Sequence, residues 1–95
     1  MDNSKLAYMV ALHVKALDCD ILAFRATYSN EAKHYKGAAA CFRGAAEVCG
    51  RGNIEVSDML FDIGCIDLKC ASTSRMIEEN SIRILELNKR IKQTS

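Results

Sequence analysis

This chain of 95 residues contains no proline. Proline interrupts a helix more sharply than any other residue, so no proline break divides the chain. Glycine is confined to five positions, and two of them, Gly50 and Gly52, mark the clearest turn. The sequence therefore predicts helices on both sides of residues 50–53, with Asn53 or Ser57 as the cap of the second one.

The chain also lacks a dominant charge, a long apolar run and a recognisable signal peptide. Its formal net charge is +1, which argues against bulk nucleic acid or an anionic membrane as an electrostatic partner. No apolar run reaches the roughly 18 residues that a membrane-spanning helix needs. The first residues carry neither a basic region nor an apolar core of a leader. We expect one soluble, cytoplasmic domain without a membrane partner.

Catalytic and metal-binding motifs are not visible either. Each of the five cysteines lies among apolar neighbours, and their spacing does not provide the close pairs of a metal site: Cys19, Cys41, Cys49, Cys65 and Cys70. We interpret them as free, small apolar residues of a reducing compartment. His13 is expected at the margin of the core and His34 in solvent. The sequence predicts no enzyme, no cofactor and no metal.

The strongest pattern that is present is a heptad repeat over the last 40 residues. Its 11 positions alternate steps of three and four: Val56, Met59, Ile63, Ile66, Cys70, Thr73, Ile77, Asn80, Ile84, Leu87 and Ile91. We call these positions the heptad seam. Only Thr73 and Asn80 are polar, and such a rhythm is typical of a helix that packs lengthwise on another helix.

The heptad seam leads to a prediction of self-association. We expect residues 54–70 to be buried in the domain and residues 75–93 to project towards a partner. The predicted oligomer interface consists of Ile77, Asn80, Ile84, Leu87 and Ile91. The stretch 71–74 forms helix poorly and could divide this segment into two helices.

The orientation of the two copies stays open. Residues 53–70 are mainly acidic and residues 71–95 mainly basic, which favours antiparallel pairing. Isoleucine at the a positions with Leu87 at a d position instead favours a parallel pair. In that parallel pair, Asn80 would face its own symmetry mate.

The N-terminal half, residues 4–50, begins with a helix after Asn3-Ser4 that has two apolar sides. The stronger side is a stripe with Val14 and His13 at its margins: Leu6, Val10, Leu17, Ile21, Phe24 and Tyr28. The weaker side consists of Tyr8, Leu12 and Cys19. We expect this helix to contact neighbours on both sides.

A second helix is predicted from about Glu31 to Cys49, capped at Ser29-Asn30, unless the two helices form one bent rod. Its apolar face is thin because alanine dominates it: Tyr35, Ala38, Phe42, Ala45, Ala46 and Cys49. Gly37 and Gly44 each lower helix propensity by up to about 1 kcal/mol, and close packing of helix axes is the expected compensation.

Basic residues suggest a second kind of surface. If residues 25–51 formed one continuous helix, one narrow edge would contain Arg25, Lys33, Lys36, Arg43 and Arg51. We call this set the basic edge. It could bind an acidic protein or nucleic acid, although Glu47 lies within it and an ordinary solvated helix face is the preferred interpretation.

These patterns predict an all-α fold. We expect one domain over residues 1–95, a small bundle of three to four helices. It comprises a helical hairpin or bent helix over 4–50 and a coiled-coil-like helix over 54–93.

The leading hypothesis for the function is a non-enzymatic interaction protein that forms a homodimer or higher oligomer and binds or blocks a protein target. The alternatives are a small dimeric nucleic-acid-binding protein that uses the basic edge, and a ligand site lined by cysteines and alanines. In size and helical style, but in no residue motif, the chain resembles small accessory proteins of bacteriophages and other mobile elements. Many of those proteins inhibit a host protein, including components of CRISPR defence.

Overall fold

A computed structural model, which describes residues 3–94, shows an all-α protein of three helices. Helix α1 spans Asn3–Arg25, α2 spans Ser29–Gly50 and α3 spans Ile54–Thr94. The predicted class, a small helical bundle with a long C-terminal helix, is confirmed. The protein measures 71 × 21 × 16 Å because α3 has 41 residues whereas α1 and α2 have 23 and 22.

Helix α2 is the central helix. It packs against both α1 and α3, whereas the backbones of the described α1 and α3 do not approach each other within 8 Å. Successive helices are antiparallel: Lys5 of α1 donates a hydrogen bond to the carbonyl of Gly50 over 3.5 Å, and Glu31 of α2 lies beside Arg75 of α3. Helices α1 and α3 are therefore the two outer helices of the molecule.

Helices α1 and α2 are separate helices rather than one bent rod. The chain leaves the helical conformation at residues 26–28, where Tyr28 is extended with φ −112° and ψ 141°. The predicted cap at Ser29-Asn30 is wrong, since both residues lie inside α2 and Tyr28 provides no side-chain cap. The side-chain amide of Asn30 instead donates a hydrogen bond to the Glu78 carboxylate of α3 over 3.4 Å.

The turn between α2 and α3 is present as predicted. Gly52 has φ +89°, a conformation that glycine adopts without strain. The amide of Gly52 donates to the carbonyl of Cys49, and the amide of Asn53 donates to the carbonyl of Val48. This hydrogen-bond pattern closes the end of α2. The Asn53 side chain then caps α3 by accepting from the amide of Val56 over 3.2 Å.

Helix α3 runs without interruption from Ile54 to Thr94. The break considered at residues 71–74, and with it a fourth helix, is wrong. Ala71 is fully buried in the bundle, and the Thr73 hydroxyl donates to the carbonyl of Lys69 over 3.0 Å. Tertiary packing therefore overrides the low helix propensity of this stretch.

The core consists mainly of small side chains around one aromatic ring. Phe42 is completely buried, and its ring centroid lies 5.6 Å from that of Phe61. Gly64 leaves room for the Phe42 ring, because a Cβ atom at Gly64 would lie 2.7 Å from it. The α2 face predicted from sequence is confirmed as buried, except that Tyr35 is only half-buried.

Close packing at the α2 glycines is also confirmed. A Cβ atom at Gly37 would lie 3.1 Å from the Asp67 carboxylate, and one at Gly44 would lie 3.4 Å from the Leu60 side chain. Both neighbours belong to α3, so the two helix axes approach closely where the chain lacks side chains.

The face of α1 that enters the core is the weaker of its two apolar sides. The buried residues of α1 are Leu12, Ala16, Cys19 and Ala23, whereas the stronger stripe is exposed from Leu6 to Phe24. Its last predicted member, Tyr28, lies beyond α1 and is half-buried. Within residues 3–94, α1 therefore packs against a neighbouring helix on one side only, and the expected contacts on both sides are not present. His13, expected at the core margin, is exposed as well. Small residues are buried because they let α1 approach the thin alanine face of α2.

The buried side of α3 is likewise not the heptad seam. Ser57, Gly64 and Ala71 are the buried residues of this helix. Ser57 is accommodated because its hydroxyl donates to the carbonyl of Ala45 over 2.8 Å. The expectation that residues 54–70 are buried is thus correct for this side and wrong for the seam.

Candidate interaction surfaces

The heptad seam is exposed along the whole length of α3. Its large apolar members are between 37 and 64 % exposed: Val56, Met59, Ile63, Ile66, Ile77, Ile84, Leu87 and Ile91. Thr73 and Asn80 are exposed too, and Cys70 is half-buried. A contiguous apolar strip of this kind, unlike scattered apolar residues, is typical of an interaction site.

The second half of α3 extends beyond the bundle. All residues from 79 to 94 are exposed, and at about 1.5 Å per residue this tail is about 24 Å long. The predicted interface residues Asn80, Ile84, Leu87 and Ile91 lie along it, and Ile77 lies just before it. Ile82 and Leu85 expose further apolar surface on another side. Residues 79–93 of the predicted segment 75–93 therefore do project from the bundle.

A partly buried ion pair holds α3 where the tail begins. Glu31 is 2 % exposed, and its carboxylate lies 3.6 Å from Nε of Arg75. Arg75 also lies 4.0 Å from Glu79 on its own helix. A buried charge without a partner is costly, so the pair stabilises the packing of α3 against α2 just before the tail begins. Sequence reasoning missed it, because both residues have the pattern of ordinary surface charges.

This ion pair borders a cavity of about 130 Å³ at the α1–α2 turn. The lining residues are Leu22, Arg25, Ala26, Thr27, Glu31, Tyr35 and Arg75. The ligand site considered from the sequence was to be lined by cysteines and alanines, and this cavity has one alanine and no cysteine. The cavity therefore gives that alternative no support.

The outer α1 face is a second exposed apolar surface, formed by Leu6, Val10, Val14, Leu17, Ile21 and Phe24. Each of these side chains is about half exposed, except Phe24, which is 92 % exposed. A shallow depression of about 520 Å³ lies at its C-terminal end and is lined by Leu17, Asp20, Ile21, Phe24 and Arg25. The sequence contained this stripe, but its strength suggested a core contact rather than a surface.

The basic edge does not lie on one continuous helix. The prediction required one continuous helix over residues 25–51, but α1 ends at Arg25 and α2 ends at Gly50. Arg43 donates a hydrogen bond to the Asp20 carboxylate, which raises the pKa of Arg43 above its ordinary value, and Arg51 lies 2.6 Å from Glu47.

Three members of the basic edge remain without an ion pair to a described residue: Arg25, Lys33 and Lys36. The two lysines lie on the exposed side of α2. We therefore expect nucleic-acid affinity through the basic edge to be weak, with a log–log salt slope no steeper than about −3, since three unpaired cations release at most about three counterions.

Fluorescence anisotropy with duplex DNA at several salt concentrations measures that slope. Lys69→Glu with Lys89→Glu serves as the control, because it makes the same charge change on α3. A steep slope that disappears in Lys33→Glu with Lys36→Glu, but not in the control, would restore the nucleic-acid hypothesis.

One half-buried cluster joins residue types that nucleophilic enzymes use. His34 Nδ1 lies 3.7 Å from Asp67, and the Cys41 thiol lies 3.9 Å from the same carboxylate. His34 is thus less exposed than expected. Burial, and next the negative charge of Asp67, raise the pKa of the Cys41 thiol. The thiol therefore stays protonated at neutral pH, which opposes a role as nucleophile.

Other signals of chemistry are weak in the described part of the chain. Burial raises the pKa of the Cys19 thiol as well. Within residues 3–94, no group of three or more His, Cys, Asp or Glu side chains is arranged to hold a metal ion. None of the three helices has the length and apolarity to cross a membrane.

The fold and its surfaces define a three-helix protein with two uncovered apolar faces. Comparison of the chain with family models, curated proteins and solved structures finds no match. Its function must therefore be argued from these surfaces.

Proposed function

We propose that this chain is a non-enzymatic helical interaction protein, which self-associates through the heptad seam and binds a protein target through another face. The observation that carries the proposal is the exposure of the seam over the full length of a 41-residue helix, including a tail without any buried residue. Light scattering tests self-association directly, because the monomer has a mass of 10.5 kDa and a dimer twice that mass.

The energetic argument concerns the tail first. Every residue of the tail is exposed, and most helical stability in proteins comes from packing of an apolar face. Burial of one isoleucine or leucine side chain contributes about 1.5–3 kcal/mol. A second helix along the seam would therefore stabilise the tail and remove the apolar strip from water.

The small core adds to this argument. Eight of the buried residues are alanine or cysteine on α1 and α2, and these bury less apolar area than leucine or phenylalanine: Ala16, Cys19, Ala23, Ala38, Ala39, Ala45, Ala46 and Cys49. A domain of this size has a limited margin of stability in any case. Self-association would add apolar burial that the bundle alone does not provide.

Target binding is assigned to the outer α1 face. Association through the heptad seam would leave this face uncovered, because the seam lies on α3 and the backbones of the described α1 and α3 do not approach each other within 8 Å. Its depression has apolar walls from Leu17, Ile21 and Phe24, with the charged Asp20 and Arg25 among its lining residues. Such a site suits a large apolar anchor from an amphipathic helix of the target. If this contact covers the surface that the target needs for its own activity, binding would inhibit the target.

Leu17→Asp with Ile21→Asp tests target binding. We expect the variant to lose the target, since the aspartates would be desolvated against an apolar anchor, while its oligomeric mass stays unchanged. Quantitative mass spectrometry of host proteins captured by the original chain and by the variant measures the loss. If every captured protein is retained equally by both chains, the outer α1 face is not the target site.

A further inference from the structure

We propose that two copies of the chain pair antiparallel along α3, with Val56 of one copy opposite Leu87 of the partner subunit. The inference deepens the proposed self-association and rests on it. Its basis is the combination of the exposed heptad seam, the position of α2 beside it, and the charges along its free flank.

Antiparallel pairing covers both exposed halves of the seam at once. The tail of each copy lies along the first half of α3 of the other copy. That half packs on α2, but its seam residues Val56, Met59 and Ile63 are exposed. In antiparallel coiled coils, an a residue packs against a d residue of the other helix. Across the two copies the layers are Val56 with Leu87, Met59 with Ile84, Ile63 with Asn80, Ile66 with Ile77, and Cys70 with Thr73.

The structure shows which flank of the seam is free. The e positions directly follow the d residues, and three of them are half-buried: Leu60, Asp67 and Ser74. Leu60 faces Gly44 of α2, and Asp67 contacts His34 and Cys41 of the same helix. The g positions directly precede the a residues, and all of them are exposed: Glu55, Asp62, Lys69, Met76, Arg83 and Arg90. Charges on the g flank are therefore available to a second copy.

Antiparallel pairing sets g residues against g residues of the other copy. In the proposed register, Glu55 faces Arg90 of the partner subunit, and Asp62 faces Arg83 of the partner subunit. Lys69 faces Met76 of the partner subunit. The twofold symmetry repeats each pair, so the flank contains four pairs of opposite charge and no pair of like charge.

The other arrangements have worse electrostatics. A parallel pair sets g residues against e residues, so that Asp62 would face Asp67 of the partner subunit and no g charge would meet an opposite one. An antiparallel pair shifted by one heptad sets Lys69 against Arg83 of the partner subunit, or against its own symmetry mate. Charge on the free flank therefore selects both the orientation and the register.

Disulfide trapping tests the geometry. Two chains are prepared in a background of Cys65→Ala with Cys70→Ala, one with Ile66→Cys and the other with Ile77→Cys. We expect oxidation of the mixture to join the introduced thiols at positions 66 and 77 of different copies, and neither chain alone to cross-link. Lys69 and Arg75 lie between the two positions, so trypsin separates the peptides and mass spectrometry identifies the link.

The possible cross-linking results distinguish the orientation, the register and self-association itself. Cross-linking of the Ile66→Cys chain with itself would show parallel pairing, and cross-linking with an Ile84→Cys chain would show a shifted register; either result overturns the inference. In both cases self-association stands. If the unsubstituted protein is a monomer in solution, that result would instead contradict both the proposed self-association and the inference.

A charge exchange provides a second measurement that leaves the seam unchanged. Arg83→Glu with Arg90→Glu should raise the dimer dissociation constant by at least about tenfold, because four attractive pairs become repulsive. Mixing this chain with one carrying Glu55→Lys and Asp62→Lys should restore tight pairing. No weakening, or weakening without restoration in the mixture, contradicts the antiparallel register.

Discussion

Replacement of Ile84 and Leu87 by aspartate is expected to convert the associated protein into a 10.5-kDa monomer. Both residues lie on the exposed tail, 58 and 49 % exposed, so the change removes no contact within the bundle. In a dimer each substitution occurs twice and places a carboxylate in an apolar seam. Four such sites cost at least about 4 kcal/mol in total, which corresponds to a roughly thousandfold weaker dimer.

Light scattering at a fixed protein concentration measures this change, and far-UV circular dichroism should show a loss of helix because residues 79–94 fray without a partner. Ser72→Asp with Gln93→Asp is the matched control, since it adds the same charge at exposed positions of α3 off the seam. We expect the control to keep its mass. An Ile84→Asp, Leu87→Asp chain with unchanged mass would contradict association through the seam.

Phe42→Ala is expected to lower the free energy of unfolding by about 3–5 kcal/mol. Phe42 is completely buried, packs against Phe61 and fills the space beside Gly64. The small side chains around it leave few atoms able to fill the resulting cavity. Since single domains are typically stable by about 5–15 kcal/mol, this one change removes a large part of the total.

Urea unfolding followed by circular dichroism measures the effect, with all chains at the same concentration because association contributes to stability. Phe24→Ala is the matched control: the same side chain is removed, but Phe24 is 92 % exposed and we expect a change within about 0.5 kcal/mol. A large loss at Phe24 would show that a neighbour covers the outer α1 face in solution.

Several features of the fold followed from local patterns. The heptad seam, with no proline in the chain, predicted the long C-terminal helix, and the Gly50–Asn53 stretch predicted the turn that the structure contains. The buried side of α2 followed from its alanines and Phe42. These features were predictable because each depends on residues close together in sequence.

The candidate surfaces were only partly predictable. Ile77, Ile84, Leu87 and Ile91 could be named from their spacing, and the structure places them on the exposed side of α3. The continuous helix assumed for the basic edge is not present, because the chain breaks at residues 26–28, and local propensity did not reveal that break. The Glu31–Arg75 pair gave no signal, since two residues 44 positions apart become neighbours only through packing.

The sequence by itself determined that the chain is helical, where its clearest turn lies and which helix sides are apolar. The tertiary structure alone decided which apolar side of each outer helix is buried. The physical reason is shape: α2 offers a thin surface of alanine and glycine, and Leu12 with its small neighbours on α1 and Gly64 on α3 can approach it closely. The bulkier stripe of α1 and the heptad seam of α3 therefore remain on the outside.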